Sequence, residues 1–178
     1  VRYRDETPIT PQDFAAMVRR LTSGLDCELI FEPGRYLVGE AGGLVSTVIY
    51  VKETEGRRFA VLDAGMHVLI RPMLYDAHHE ILPVSEPRVG AEMLAYDLVG
   101  PICESTDVFT RDRKMPHLER GQRVLFLSAG AYGRVMSSDY NSRPSAAEVL
   151  VDGDKWAVVK PHREAEAQFA DECIPDWF

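Results

Sequence analysis

The sequence has few cysteines, few lysines and no long apolar run, and each shortage narrows the reading. Its three cysteines, Cys27, Cys103 and Cys173, cannot all pair and show no metal-ligand spacing. Neither a disulfide framework nor a cysteine-held metal is expected. No apolar stretch nears the roughly 20 residues that a bilayer-spanning helix needs. The opening Val-Arg-Tyr-Arg-Asp-Glu is polar and shows no signal-peptide pattern, so a reducing, cytoplasmic compartment is the expectation. Positive charge is in the minority, with 20 Lys and Arg against 28 Asp and Glu, a net charge of −8. That balance argues against nucleic acid and against a membrane surface as partners, but not against a small anion that meets local arginines. The rest is ordinary for a folded chain of 178 residues, 46% hydrophobic and 27% charged. This length holds one domain, or one domain and a piece of another.

Two characters follow one another along the chain. Thr10 can cap a helix, Pro11 suits its first position and Asp13 its first turn, and Phe14, Met17, Val18 and Leu21 form one apolar stripe. Ser23-Gly24 ends that helix, and Cys27 to Phe31 reads as a short buried strand. A helix followed by a strand is one αβ step of a parallel fold, and a single such step cannot bury both faces of its strand. Residues 1 to about 40 are therefore expected to be the last αβ step of something larger, whose earlier part lies outside this sequence. From residue 41 onward the pattern is all β. Leu44 to Lys52 and Phe59 to Asp63 flank a Glu53-Thr54-Glu55-Gly56 turn. Strands at about Ala91–Val99 and Arg123–Ser128 follow, then a hairpin over Ala147–Val151 and Trp156–Lys160, joined by Asp152-Gly153-Asp154. A short helix is expected over Glu164 to Phe169.

Several motifs sit at the ends of these elements. Glu32-Pro33-Gly34-Arg35 follows the expected strand, where parallel folds place their ligands. Gly34 would let backbone N–H groups approach an anion, and Arg35 offers a planar fork for carboxylate or phosphate. A plain surface turn would read the same way. Arg71 lies among apolar residues after Asp63-Ala64-Gly65-Met66, so it is expected to be partly buried beside an anion, either a ligand or a structural carboxylate. Tyr75, four residues on, could share that anion if the segment is helical. Cys103-Glu104 sets a thiol beside a carboxylate in a turn, able to move a proton and to bind an ammonium, although a buried free cysteine is the commoner case. Tyr132 stands between Gly130 and Gly133, either displayed at a strand end or packed in the core. Asp76, His78, His79 and Glu80 do not read as a metal site, because adjacent histidines point apart in either regular structure.

Taken together, in this order and spacing, Glu32-Pro-Gly-Arg35, Asp63-Ala-Gly-Met66, Arg71-Pro-Met-Leu-Tyr75, Cys103-Glu-Ser-Thr-Asp107 and Gly130-Ala-Tyr132 resemble the C-terminal half of the diaminopimelate decarboxylases. These are fold-type III pyridoxal-phosphate enzymes of lysine biosynthesis. The resemblance runs from Tyr3-Arg4-Asp5-Glu6 to the final strands, and Cys-Glu-Ser-x-Asp is its most specific part. One departure is His67-Val68, where the family often has Asn-Asp.

What the resemblance implies is a mainly β fold, a C-terminal β-barrel or Greek-key-like domain (residues 41–178), preceded by the last αβ step of a (β/α)₈ barrel (residues 1–40). The implied activity is decarboxylation of meso-diaminopimelate to L-lysine and CO₂, in a homodimer whose sites are shared. Pyridoxal 5′-phosphate would lie against Glu32, Pro33, Gly34, Arg35 and Tyr132. Arg35, Arg71, Tyr75, Glu104 and Tyr132 would meet substrate, with Arg71 and Tyr75 on its distal carboxylate and Glu104 on its distal ammonium. Cys103 would protonate the carbon left by CO₂. Lys52, Lys114, Lys155 and Lys160 match no family position for the lysine that holds the cofactor, so these residues alone are not expected to be active. Two other readings stand beside this one. The first is a decarboxylase of another diamino acid, of ornithine, lysine or carboxynorspermidine type. The second is a non-catalytic dimerisation module of the same superfamily.

Overall fold

The computed structural model describes residues 1–177. Helix α1 spans Pro11–Thr22; the Thr10 hydroxyl accepts the Asp13 N–H at 3.1 Å and caps it, as its sequence dictates. The apolar stripe of α1 is not buried, however, since Phe14, Met17 and Leu21 are all exposed. The expected strand at Cys27–Phe31 is also absent, and Leu29, Ile30 and Phe31 run irregular and exposed. Strand formation needs a neighbouring backbone to pair with, and among the described residues no strand pairs with this segment. Glu32-Pro33-Gly34-Arg35 is not a plain turn, because Gly34–Val38 winds into a short helix, α2, behind Pro33.

The strands that follow are β1 (Leu44–Thr54), β2 (Arg57–Leu62), β3 (Ile81–Pro83), β4 (Met93–Val99), β5 (Val108–Pro116) and β6 (Arg123–Phe126), with a one-turn helix, α3 (Arg71–Tyr75), between β2 and β3. They form one sheet in the order β3-β6-β1-β2-β4-β5. The sheet curls until its edges approach, and Arg113 on β5 pairs with Glu80, just before β3, at 2.7 Å. The result is a nearly closed, barrel-like sheet in a mainly β chain. Its interior is apolar, with Val48, Leu62, Tyr96, Leu98, Met115, Val124 and Phe126 essentially inaccessible to solvent. The one phenol there is satisfied, since the Leu118 N–H donates to the Tyr96 hydroxyl at 3.1 Å.

Turn chemistry sets the local connections. β1 and β2 are joined by Glu55-Gly56, both at positive φ (45° and 79°), the backbone that a two-residue hairpin with native twist requires. A second hairpin, β7 (Glu148–Asp152) with β8 (Lys155–Lys160), turns at Gly153-Asp154 and leaves Val149, Leu150, Val151, Trp156, Val158 and Val159 exposed. A 3₁₀ turn at Ala165–Phe169 stands where a short helix is expected. β2 and β4 pair in parallel, Phe59 opposite Asp97, so the 63–92 segment between them is a crossover. Among the described residues no helix is long and apolar enough to cross a membrane.

Candidate functional site

Four stretches distant in sequence meet at one open cleft of about 670 Å³. The first supplies Tyr3, Arg4 and Glu6, and α2 supplies Arg35. Arg71 and Tyr75 come from the two ends of α3, followed by Asp76 and His78, while Tyr132 lies on the loop after β6. Glycines bring two of these stretches together. The Gly130 N–H donates to Gly39 O at 3.1 Å and the Ala129 N–H to Gly42 O at 2.8 Å. A Cβ on Gly130 would run into the Val38 carbonyl, so only glycine permits this approach. Beyond it Tyr132 sits at φ 63°, a left-handed backbone that a tyrosine rarely adopts, with its ring partly exposed on the cleft.

Arg71 is the unusual member. Its residue is only 6% exposed, yet no carboxylate among the described residues lies within ion-pair reach of it. Its guanidinium lies 4.9 Å from the Tyr3 ring centroid and 5.9 Å from that of Tyr132. One donor, Nη1, meets His79 Nε2 at 3.2 Å, while Nε is buried without a partner. The structural carboxylate considered from sequence is not there. Two aromatic faces, each worth up to about 2 kcal/mol when desolvated, do not replace a counter-ion whose absence costs several kcal/mol. The arrangement leaves room for an anion supplied from the cleft. Arg35 adds a second guanidinium, 5.2 Å from the Tyr132 centroid on the same cleft.

Electrostatically the cleft holds three guanidinium groups, Arg4, Arg35 and Arg71, against two carboxylates, Glu6 and Asp76. Backbone N–H groups of Glu6 itself and of Arg4 hold the Glu6 carboxyl below its usual range. His79 is 4% exposed, and burial lowers its pKa, with Arg71 adding to the effect. Cationic donors alternating with tyrosine rings suit a flat group that carries anionic substituents. No lysine lines the cleft.

Of the residues singled out from sequence, the fold brings together Arg35, Arg71, Tyr75 and Tyr132. Glu32, Pro33 and Gly34 do not line the cleft, and the position of a Gly34 Cβ is open space. Cys103 is exposed rather than a buried small hydrophobe, and neither it nor Glu104 lines the cleft. Their loop is nonetheless near. A second hollow of about 410 Å³ shares Arg4, Asp76, Ala77 and His78 with the first and is lined by Ser105 and Thr106. The Thr106 N–H and hydroxyl, each 3.1 Å from Glu104, hold the Glu104 carboxyl below its usual range. Asp107, the last residue of that motif, is structural. Buried at 2% exposure, it accepts the Met66 N–H at 2.7 Å and the Ile102 N–H at 2.9 Å, tying the Cys103 loop to the end of β2. Asp63 plays a similar part, accepting from the Ser46 hydroxyl at 2.6 Å and the Thr47 N–H at 2.8 Å. Sequence reasoning misses Tyr3, Arg4 and Glu6 on the cleft, and His79, which is buried behind it against Arg71. The two adjacent histidines do part company: His78 faces Glu80 at 3.5 Å, and His79 turns into the protein.

The chain matches the pyridoxal-dependent decarboxylase C-terminal sheet domain over residues 25–130. It is 44% identical to the diaminopimelate decarboxylase of Zymomonas mobilis, an alignment covering 99% of this chain and 42% of that protein. With the diaminopimelate decarboxylase of Vibrio cholerae the identity is 47%, over 98% of this chain and 41% of that one. The crystal structure of diaminopimelate decarboxylase from Helicobacter pylori complexed with L-lysine superimposes with a TM-score of 0.87 at 38% identity, covering 95% of this chain and 41% of that one. The chain thus spans about two-fifths of the length of the relatives it matches.

Proposed function

The chain belongs to the pyridoxal-dependent decarboxylases, whose C-terminal sheet domain it carries, and on that premise we propose that it is the C-terminal part of an enzyme that decarboxylates meso-diaminopimelate to L-lysine. The observation that carries the substrate is Arg71, a buried guanidinium with no carboxylate partner that opens on a cleft shared with Arg35 and Tyr132. Diaminopimelate bears a carboxylate at the end that does not react, and that carboxylate is retained in lysine. A site that leaves a cation unpaired rejects ligands lacking the matching anion, because the cost of burying the charge is then not offset. This also favours diaminopimelate over ornithine-type substrates.

The residues divide the work by chemistry. Arg71 and Tyr75 hold the distal carboxylate, with Arg35 beside them, and Glu104 takes the distal ammonium, kept ionised by Thr106. Pyridoxal phosphate supplies the electron sink for loss of CO₂ when bound. Arg35 and Tyr132 fit its anionic, flat outline, with Glu32, Pro33 and Gly34 flanking. Cys103 delivers the proton to the carbon that lost CO₂. Because Cys103 stands outside the cleft of its own chain, the proposal includes a homodimer in which each Cys103-Glu104 loop completes the partner's site. It further includes a division at about residue 40 between the end of a (β/α)₈ barrel and the sheet domain, and a cytoplasmic location.

Purified full-length protein, loaded with pyridoxal phosphate, tests the reading. CO₂ release is expected from meso-diaminopimelate and not from L-lysine or L-ornithine. Arg71→Ala should lower kcat/KM by about 10- to 100-fold, the worth of a charge-assisted hydrogen bond, with cofactor content unchanged. Equal turnover of L-ornithine, or wild-type kinetics in the variant, would overturn it.

A further inference from the structure

The partner of Arg71 is a histidine, and its two neighbours fix its state. His79 Nδ1 lies 2.9 Å from the Leu127 carbonyl, which can only accept. Nδ1 therefore carries the hydrogen. Nε2 lies 3.2 Å from Arg71 Nη1, which can only donate, so Nε2 presents its lone pair. The imidazole is neutral and has one tautomer. It is held from both sides, as the Leu127 N–H also donates to Glu80 O at 2.8 Å, and the Tyr3 ring stands edge-on to it at 5.8 Å and 84°. Arg71 needs such a lock, because it opens a helix of only five residues and its faces are covered by rings that allow sliding in their planes.

We propose that His79 is a positioning residue for substrate: it fixes the Arg71 guanidinium through Nη1 without neutralising it, leaving the remaining donors and the full charge for the ligand's carboxylate. A carboxylate in its place would orient Arg71 equally well but would cancel the charge and compete with the ligand. A neutral acceptor is the one kind of partner that orients and does not compete. This inference rests on the reading of Arg71 as the carboxylate binder.

The test is calorimetric titration of full-length, cofactor-loaded protein with L-lysine and with cadaverine, which has the same chain without the carboxylate. Three variants separate the roles. His79→Asn keeps a donor for Leu127 O and loses the acceptor for Arg71, while His79→Gln keeps that acceptor. His79→Glu keeps it in charged form. Relative to wild type, His79→Asn should bind L-lysine about fivefold more weakly, one ordinary hydrogen bond's worth, with cadaverine unchanged. His79→Gln should restore L-lysine binding. His79→Glu should hold its melting temperature yet lose the preference for L-lysine over cadaverine, and this variant decides the matter if His79→Asn does not fold. An unchanged preference in His79→Glu, or equal weakening of both ligands in His79→Asn, overturns the inference. If wild-type protein itself shows no preference for L-lysine, the assignment of Arg71 to a carboxylate has failed instead.

Discussion

Replacing Asp107 by Asn sets two effects of opposite sign against each other. The carboxylate is buried, and burial pushes its pKa up against the opposing pull of the Ile102 and Met66 N–H groups. A raised folded-state pKa means that this group's contribution is fully present below the ordinary Asp range and declines as pH rises through the raised value. On charge alone, a neutral residue of the same shape should stabilise the protein. Hydrogen-bond geometry says otherwise. One oxygen takes the Met66 N–H and the other the Ile102 N–H. A carboxylic acid can still accept at both, whereas an amide must point its NH₂ at one of the two donors. Leaving a buried donor unsatisfied costs about 1–3 kcal/mol, and Gly65 and Gly100 pack directly against the Asp107 carboxylate. We expect Asp107→Asn to lose about 1–3 kcal/mol locally. In the full-length protein, the amides of Met66 and Ile102 should exchange about 10-fold faster or more, with β1 and β6 amides unaffected. Unchanged exchange at both amides, or a rise in melting temperature, would refute the argument and make charge burial the larger of the two effects.

Two further outcomes are expected. Cys103→Ala should lower kcat by about 10²–10⁴, the usual contribution of a placed acid, and mixing it with a variant lacking only the cofactor-holding lysine should restore activity toward roughly a quarter of wild type through mixed dimers; no recovery in dimers shown by mass to be mixed would return Cys103 to its own chain's site. His67 is buried at 3% exposure, and desolvation, helped by Arg143, takes its pKa from 6.5 down to about 4. The unfolded chain therefore binds the extra proton first, stability is whole above pH 6.5 and falls toward pH 4, by about 3 kcal/mol. His67→Gln should flatten that slope in urea titrations at several pH values, and an unchanged slope would rule His67 out as its source.

Both two-residue hairpins are legible in sequence because Glu55-Gly56 and Gly153-Asp154 carry their turn geometry locally. The same holds for the Thr10 cap of α1. The segment Cys27–Phe31 shows the opposite case, since apolar β-prone residues become a strand only where another backbone receives their hydrogen bonds. β5 is hidden in sequence because its outward residues, among them Arg111, Asp112 and Lys114, break the apolar run. In the cleft, Arg35, Arg71, Tyr75 and Tyr132 are legible through motif chemistry. Tyr3 lies in an irregular segment with no period to read. His79 reads from sequence only as a rejected metal ligand, yet the signal for its role is present. Two adjacent histidines cannot share a face, so one of the pair has to turn inward and find partners.

The parallel pairing of β2 with β4 has a kinetic consequence. The strands are separated by the 63–92 crossover, which carries Arg71, Tyr75 and His79 and also β3, the sheet's far edge. Closing a loop of that length costs about 3 kcal/mol of chain entropy before any contact forms, and non-local pairings of this kind slow folding. β2 and β4 are thus brought together by the same stretch of chain that carries Arg71, Tyr75 and His79. The parallel pairing of β2 with β4 and the placing of Arg71 beside His79 are therefore expected to be coupled on the folding route, because one crossover carries both.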